Sequence, residues 1–433
     1  MSLTEVQIDR IVGPSHHFGG LGVGNIASQS NEGSVSNPAA AAMQGLDKMR
    51  TVAMEGAVQL IVPPHRRPNL RFLRSLGFTG ADETVLQSCY QQAPGLLSAT
   101  MSCSAMWTAN AATASASVDN ADGKPSLTVA NLSSSIHRDL ESQETLVDLR
   151  HCLPFAHVAP ALSGGAAMRD EGAANHMRLG SADETAGLHV FVVSDGEPRP
   201  KRFWPRQSRM SFEAIARAHK IPPENTFFLQ QHPDAIDAGA FHNDVVAASH
   251  QGLLIHHQNA FANGPETLAL IAERYDSIFK QPLNIIEVRE TDLSLADSVA
   301  TYLFNSQIIS GDAPSAPPKI LCPVHVKHDL AANKLVQNWC NEGVFSEVHF
   351  VDLGQSMRGG GGPACLRLRV PLTELEIRKI PQSCRWTEEL DNKLRSVIQK
   401  HYPTKLSLAD LATKDALKQI QTATTKIHQA LQR

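Results

Sequence analysis

Lys319-Ile320-Leu321-Cys322-Pro323-Val324-His325-Val326 is an apolar, strand-like run, residues 329–341 carry the spacing of a helix, and Glu347-Val348-His349-Phe350-Val351-Asp352 returns to strand. Strand, helix and strand in close succession indicate an α/β protein. The same rhythm extends in both directions. Toward the N-terminus, strands are expected at 5–12, 127–132, 188–194, 226–230, 244–249, 252–257 and 283–288. Between them, helices are expected near 68–76, 82–92, 207–219, 265–278 and 294–305. An earlier helix starts at Asn37-Pro38, an N-cap followed by an N1 proline, and runs to about Gly56. Toward the C-terminus, 365–371 reads as a last strand, and 387–433 as mostly helical with a break at Tyr402-Pro403. The Gly- and Ala-rich stretch 160–187 reads as a mobile loop, and Ala313 to Lys319 as a Pro-rich connector.

A chain of 433 residues accommodates two or three ordinary domains or one large repeated architecture. No low-complexity linker divides it, and no exact internal repeat is visible. With 42% hydrophobic and 19% charged residues, it has ample material for a core. A formal net charge of −4, without a long basic run, gives no nucleic-acid footprint. No apolar run approaches the eighteen or so residues of a membrane span. The first residues lack the basic and apolar regions of a signal peptide. Seven scattered cysteines without a CxxC pair fit reduced thiols in a cytoplasm better than disulfides or a zinc site.

The strongest chemical signal is Gly359-Gly360-Gly361-Gly362-Pro363-Ala364-Cys365, leading into Leu366-Arg367-Leu368-Arg369-Val370. Glycines let a backbone approach a ligand, and a thiol at a loop–strand junction is both reachable and held by a rigid element. A lone cysteine is more often a buried free thiol. Two further segments shift the balance: Asp170-Glu171-Gly172-Ala173-Ala174-Asn175-His176 and Phe241-His242-Asn243-Asp244. They add carboxylates and an imidazole, the parts that activate a thiol and bind a cation. Other features carry ordinary readings. Gly20, Gly22 and Asn25 miss the third glycine of a dinucleotide fingerprint, so a tight loop lining a pocket is the better reading. The pairs His16-His17 and His256-His257 lack metal-ligand spacing, so no metal is expected. Arg138 and Arg206 read either as solvated side chains or as forked clamps for a carboxylate.

These strings, together with His16 to Leu21, Met106 to Thr113, Leu127 to Leu132 and Ser298 to Gln307, make the chain resemble the succinylarginine dihydrolases of the guanidine-modifying pentein superfamily. The resemblance runs through nearly the whole chain. It implies a single domain over 1–433 with five pseudo-symmetric ββαβ-type units, an α/β propeller around a central cleft. It also implies hydrolysis of N2-succinyl-L-arginine in bacterial arginine breakdown, no cofactor, and a cytoplasmic homodimer. Carried over by position, Cys365 is the nucleophile and His242 and Glu171 are its partners. Substrate contacts come from Gly19, Gly20, Leu21, Gly22, Val23, Gly24, Asn25, Ile26, Ala27 and Ser28, and from Asn110, His137, Arg138, Arg206, Asp244 and Gly359. At Gly359 the chain departs from the family, which has Asn there, implying a lost amide contact.

The expected chemistry follows from charge. Asp244 holds the planar guanidinium cation, and the cation favours the Cys365 thiolate. His242 protonates departing ammonia and then activates water, Glu171 orients His242, and Arg138 and Arg206 meet the substrate's carboxylates. Rival readings are a deiminase that stops after one ammonia, an amidinotransferase, a thiol hydrolase of amides and a non-catalytic binding protein.

Overall fold

The computed structural model describes residues 3–183, 185–313 and 316–432. Among them, fifteen strands form five three-stranded sheets. The strands are β1 (Leu3–Arg10), β2 (Gln59–Val62), β3 (Ala112–Ser115), β4 (Ser126–Val129), β5 (His157–Ala159), β6 (His176–Leu179), β7 (Leu188–Val193), β8 (Thr226–Gln230), β9 (Ala247–His250), β10 (Leu253–His257), β11 (Asn284–Val288), β12 (Gln307–Ile309), β13 (Lys319–Pro323), β14 (Glu347–Val351) and β15 (Arg367–Thr373). Four sheets are consecutive triplets, β3-β4-β5, β6-β7-β8, β9-β10-β11 and β12-β13-β14. The fifth joins the two ends of the chain in the order β15-β1-β2. In every sheet the first pair of strands is antiparallel and the second parallel. A parallel pair needs a crossover segment, which accounts for the helices between the second and third strands. This repeated β-β-α-β order is the five-unit architecture, invisible as a sequence repeat because only polarity, not residue identity, recurs. First strands of different units also touch one another, β15 with β3 and β6 with β9.

β15 shows how pattern becomes packing. Successive strand residues face opposite sides, so Leu368, Val370 and Leu372 are buried together with Val6, Ile8, Leu60 and Val62. Each such side chain contributes about 1.5–3 kcal/mol when withdrawn from water. The alternate residues, Arg367 and Arg369, face a polar cavity instead. The C-terminal helices Glu388–His401 and Lys414–Ala430 add Leu394, Ile398, Ala423 and Ile427 to the main core, which also holds Leu46 and Met49 of the helix Pro38–Met54.

Most expected elements occur with shifted ends. The expected strand 319–326 stops at Pro323 and continues as a short helix, Val324–His328. The 244–249 run divides into a 3-10 turn, Asn243–Val245, and β9. The expected loop 160–187 contains two 3-10 turns and strand β6, paired with β7. Within the connector Ala313 to Lys319, residues 314 and 315 lie outside the described residues, and Lys319 already belongs to β13. Strands β2, β3, β5, β6 and β12 were not expected at all. Among the described residues, no helix is long and apolar enough to cross a membrane.

Candidate active site

Each of the five units contributes a polar residue from the segment just before its first strand. Asn110 precedes β3, Glu171 precedes β6, His242 and Asp244 precede β9, Asn305 precedes β12, and Cys365 precedes β15. Because those strands converge, residues as distant in sequence as Asn110 and Cys365 share one cleft. The cleft encloses about 720 Å³ including its open mouth.

Cys365 is fixed by backbone and side-chain bonds. Its N–H donates to Asn305 Oδ1 (3.1 Å), and its carbonyl accepts from Ala109 N–H (3.0 Å). Asn305 Nδ2 donates to the Asp244 carbonyl (3.1 Å), tying Cys365 to the Asp244 loop. The thiol donates to Asp244 Oδ2 at 3.4 Å. Burial, and next the facing carboxylate, push the Cys365 thiol well above its ordinary range. Asp244 is itself raised to about 6, chiefly by burial. The free site thus stores a protonated thiol against a carboxyl, and an entering cation would satisfy the carboxylate and release the thiol proton.

Glu171 is fully buried at the centre of a second network. Its carboxylate accepts from Arg138 Nη1, from Ser134 Oγ and from His242 Nε2, the last at 2.8 Å. Burial alone would raise its pKa, yet Arg138 and His242 hold it well below the usual carboxylate range. With Glu171 ionised, His242 Nε2 carries the ring proton. Nδ1 is buried with no protein partner among the described residues, free to accept a proton. Burial depresses His242 to about 4 despite Glu171, so the ring is neutral at physiological pH. Asn110 Nδ2 donates to the Glu171 carbonyl (2.7 Å), and Asn175 Oδ1 accepts from Asn243 N–H (2.7 Å), joining the Glu171 and His242 loops.

The glycine loop closes one wall. Asn25 caps the helix Ile26–Ser30 through Ser28 N–H (3.0 Å), and its Nδ2 donates to the Gly360 carbonyl (3.1 Å). Gly360 has φ +95°, and a Cβ there would lie 1.9 Å from Asn25 Nδ2, so only glycine fits.

Of the expected contacts, Gly19, Gly20, Leu21, Gly22, Asn25, Ser28, Asn110, His137, Arg138, Arg206 and Gly359 line the cleft with Cys365 and His242. Val23, Gly24, Ile26 and Ala27 are not among its lining residues. The Val23 carbonyl accepts from Arg206 Nη2, so Val23 positions an arginine. Glu171 stands behind His242, and Asp244 borders a neighbouring cavity. Arg138 is not a free clamp, because Glu171 takes its charge. Arg206, its guanidinium 5.0 Å over the Phe241 ring, carries no such ion pair among the described residues, and burial lowers its pKa to about 10. Sequence reasoning missed Asn305 and Trp107. Asn305 lies in one of the family-like strings, but nothing about an isolated Asn marks it as a bracket for a thiol. Outside the cleft, Glu55, Glu347 and His349 bring potential ligand atoms within 4.8 Å of one another, but Lys319 Nζ already sits 2.8 Å from Glu55.

A five-unit ring of ββαβ modules with a thiol and an imidazole in its cleft, each hydrogen-bonded to a buried carboxylate, defines the guanidine-modifying class of the pentein fold. Solved structures agree on the fold. The product-bound N-terminal domain of ArgZ, a cyanobacterial arginine dihydrolase, superposes with TM-score 0.54 at 14% identity, over 84% of this chain and 97% of that one. The ternary complex of AgrE with ornithine and NAD+ gives 0.53 at 15% identity, covering 84% of this chain and 39% of that one. The succinylarginine dihydrolase family pattern matches residues 2–433, and the chain belongs to that family. N-succinylarginine dihydrolase from Serratia proteamaculans (strain 568) is 43% identical over 97% of this chain and 95% of its own length. The Nitrosospira multiformis enzyme of the same name is 43% identical over 98% and 96%.

Proposed function

We propose that this chain hydrolyses N2-succinyl-L-arginine with two waters to N2-succinyl-L-ornithine, two ammonia and CO2. The observation that carries the reading is the Cys365 thiol 3.4 Å from Asp244, in the same cleft as His242, whose ring is held by Glu171. Family membership supports the succinylated substrate. The guanidinium docks on Asp244 through charge-assisted bonds. The Cys365 proton passes to His242 Nδ1, and the thiolate attacks the guanidinium carbon to give a tetrahedral adduct. His242 returns the proton to one NH2 group, and ammonia leaves a Cys-amidino cation. Neutral again, His242 takes a proton from water as its oxygen attacks. The adduct collapses to a ureido group, its hydroxyl proton returns to the departing thiol, and His242 passes its own proton to ammonia or solvent. A second passage releases the other ammonia, CO2 and the amine. Glu171 stabilises the imidazolium each time it forms, as the carboxylate of a catalytic triad does. Arg206 meets the negative succinyl end of the substrate. None of these steps calls for a cofactor, and we propose a cytoplasmic homodimer acting in arginine catabolism.

The test is to incubate purified protein with N-succinylarginine and quantify ammonia against succinylornithine. Two ammonia per succinylornithine supports the proposal. One ammonia with accumulating succinylcitrulline means a deiminase, and no ammonia overturns the assignment.

A further inference from the structure

A second cavity, about 440 Å³ with its mouth, lies beside the active site. It is bordered by Ala364 and Arg367 on either side of Cys365, and by Asn243, Asp244, Ser249 and His176. Five buried polar atoms of its lining have no hydrogen-bond partner among the described residues: Arg367 Nε, Asp244 Oδ1, Ser249 Oγ, Asn243 Oδ1 and Ser306 Oγ. Buried polar atoms are rarely left unsatisfied, so donors and acceptors gathered around one space imply bridging water.

Arg369 lies 3.3 Å from Glu5 and donates to the Ser249 carbonyl (2.8 Å). Asp9 is paired with Lys48 at 2.6 Å. His176 bonds to His189 at 2.9 Å, and burial keeps it neutral. On the cleft side, Asp244 faces the Cys365 thiol and Tyr302, and its other nearby cation, Arg138, is held by Glu171. Arg367 has no ion pair within 4.0 Å among the described residues. The carboxylates that act on it most are Glu5, which Arg369 and His250 already share, and then Asp244, which borders the same cavity. Asp244 Oδ2 accepts from the Cys365 thiol, the Asn305 side chain also favours the carboxylate, and Oδ1 is buried with no partner within hydrogen-bond distance among the described residues.

We propose that Arg367 is a positioning residue which, through this cavity, holds Asp244 in its carboxylate form so that the guanidinium can dock beside Cys365. The role rests on the assignment of Asp244 to the guanidinium. Arg367 touches no reacting atom. It matters most for binding, and most at the pH where Asp244 begins to protonate.

The experiment measures kcat and KM for N-succinylarginine across pH for the parent, Arg367→Gln, Arg367→Lys and Asp244→Asn. It adds calorimetric binding in a Cys365→Ser background. In Arg367→Gln the acid limb of kcat/KM should move upward. Each pH unit of movement lowers kcat/KM about tenfold below the limb. The loss should fall on KM and on calorimetric affinity near pH 6, and fade by roughly pH 8, two units above the midpoint. Arg367→Lys should restore the limb. Ser249→Val, which alters the cavity without touching either charge, should move it the same way by less and serves if Arg367→Gln does not fold. A loss equal at all pH values, or an unmoved limb, overturns the proposal. Asp244→Asn separates the two readings. If the limb persists without the Asp244 carboxyl, the guanidinium assignment itself fails. If the limb vanishes there yet stays put in Arg367→Gln, only the role of Arg367 fails.

Discussion

Glu171→Gln asks whether one buried charge holds the catalytic cleft together. The substitution keeps the shape of the side chain and removes its charge. In the parent, Glu171 and Arg138 form a buried ion pair, with His242 Nε2 2.8 Å away and Ser134 bonded to the same carboxylate. Removing one member of such a pair strands the other charge, at a cost of about 3–5 kcal/mol. Arg138→Gln should cost a similar amount, because the carboxylate then relies on Ser134 and His242 alone. With both changes neither charge is present, so the double variant should lose less than the sum, by about 2–3 kcal/mol. Urea unfolding near neutral pH, followed by tryptophan fluorescence and circular dichroism, measures each arm of the cycle provided the slopes agree. Additivity to within about 0.5 kcal/mol would refute the pairing. Turnover supplies an independent check. Without an ionised acceptor on Nε2, the imidazolium that must form loses its support. Ammonia release by Glu171→Gln should then fall about 10²–10⁴-fold, and a kcat near the parent value would refute the role of the carboxylate.

Three further outcomes are expected. In the parent, kcat/KM should fall about tenfold per unit as pH drops through about 6, because the Asp244 carboxylate is lost there while His242, near 4, remains neutral; a profile flat down to pH 5 would contradict this. Arg206→Lys should raise KM for N-succinylarginine about ten- to a hundredfold with little change in kcat, since an ammonium cannot reproduce the planar fork, and N-acetylarginine kinetics should change less. Gly359→Asn adds the amide that the family resemblance leads one to expect, but a Cβ there would lie 2.9 Å from Trp107 Cζ2, and Trp107 Nε1 donates to Ser356 Oγ. Displacing the indole should cost about 1–3 kcal/mol in denaturation, whatever happens to KM.

Much of the site was legible because its residues sit in short, unusual strings. Glycines before Cys365, and polar side chains crowded ahead of Val245 and Val246, are local patterns with local causes. The first strands β3, β6 and β12 were not legible. They have three or four residues each, and Ala112-Thr113-Ala114-Ser115 has no intrinsic strand signal. They are strands because an antiparallel neighbour pairs with them. For the same reason the loop expected at 160–187 conceals β6. Arg138 was legible as a cation but not as the partner of Glu171, 33 positions away, and the two readings differ in whether it is free to meet substrate.

By itself, the sequence determined the α/β class, the longer strands and helices, the thiol and the imidazole, because these depend on residue type and on periods of two or 3.6 residues. Tertiary structure decided which charges are matched. Five loops meet only when the sheets close into a ring, and burial then acts on groups far apart in sequence. That environment pushes Cys365 and Asp244 up, keeps His242 neutral, binds Arg138 to Glu171 and leaves Arg206 without an ion pair among the described residues. Protonation states are set by desolvation and by neighbouring charge, and both exist only in the folded chain.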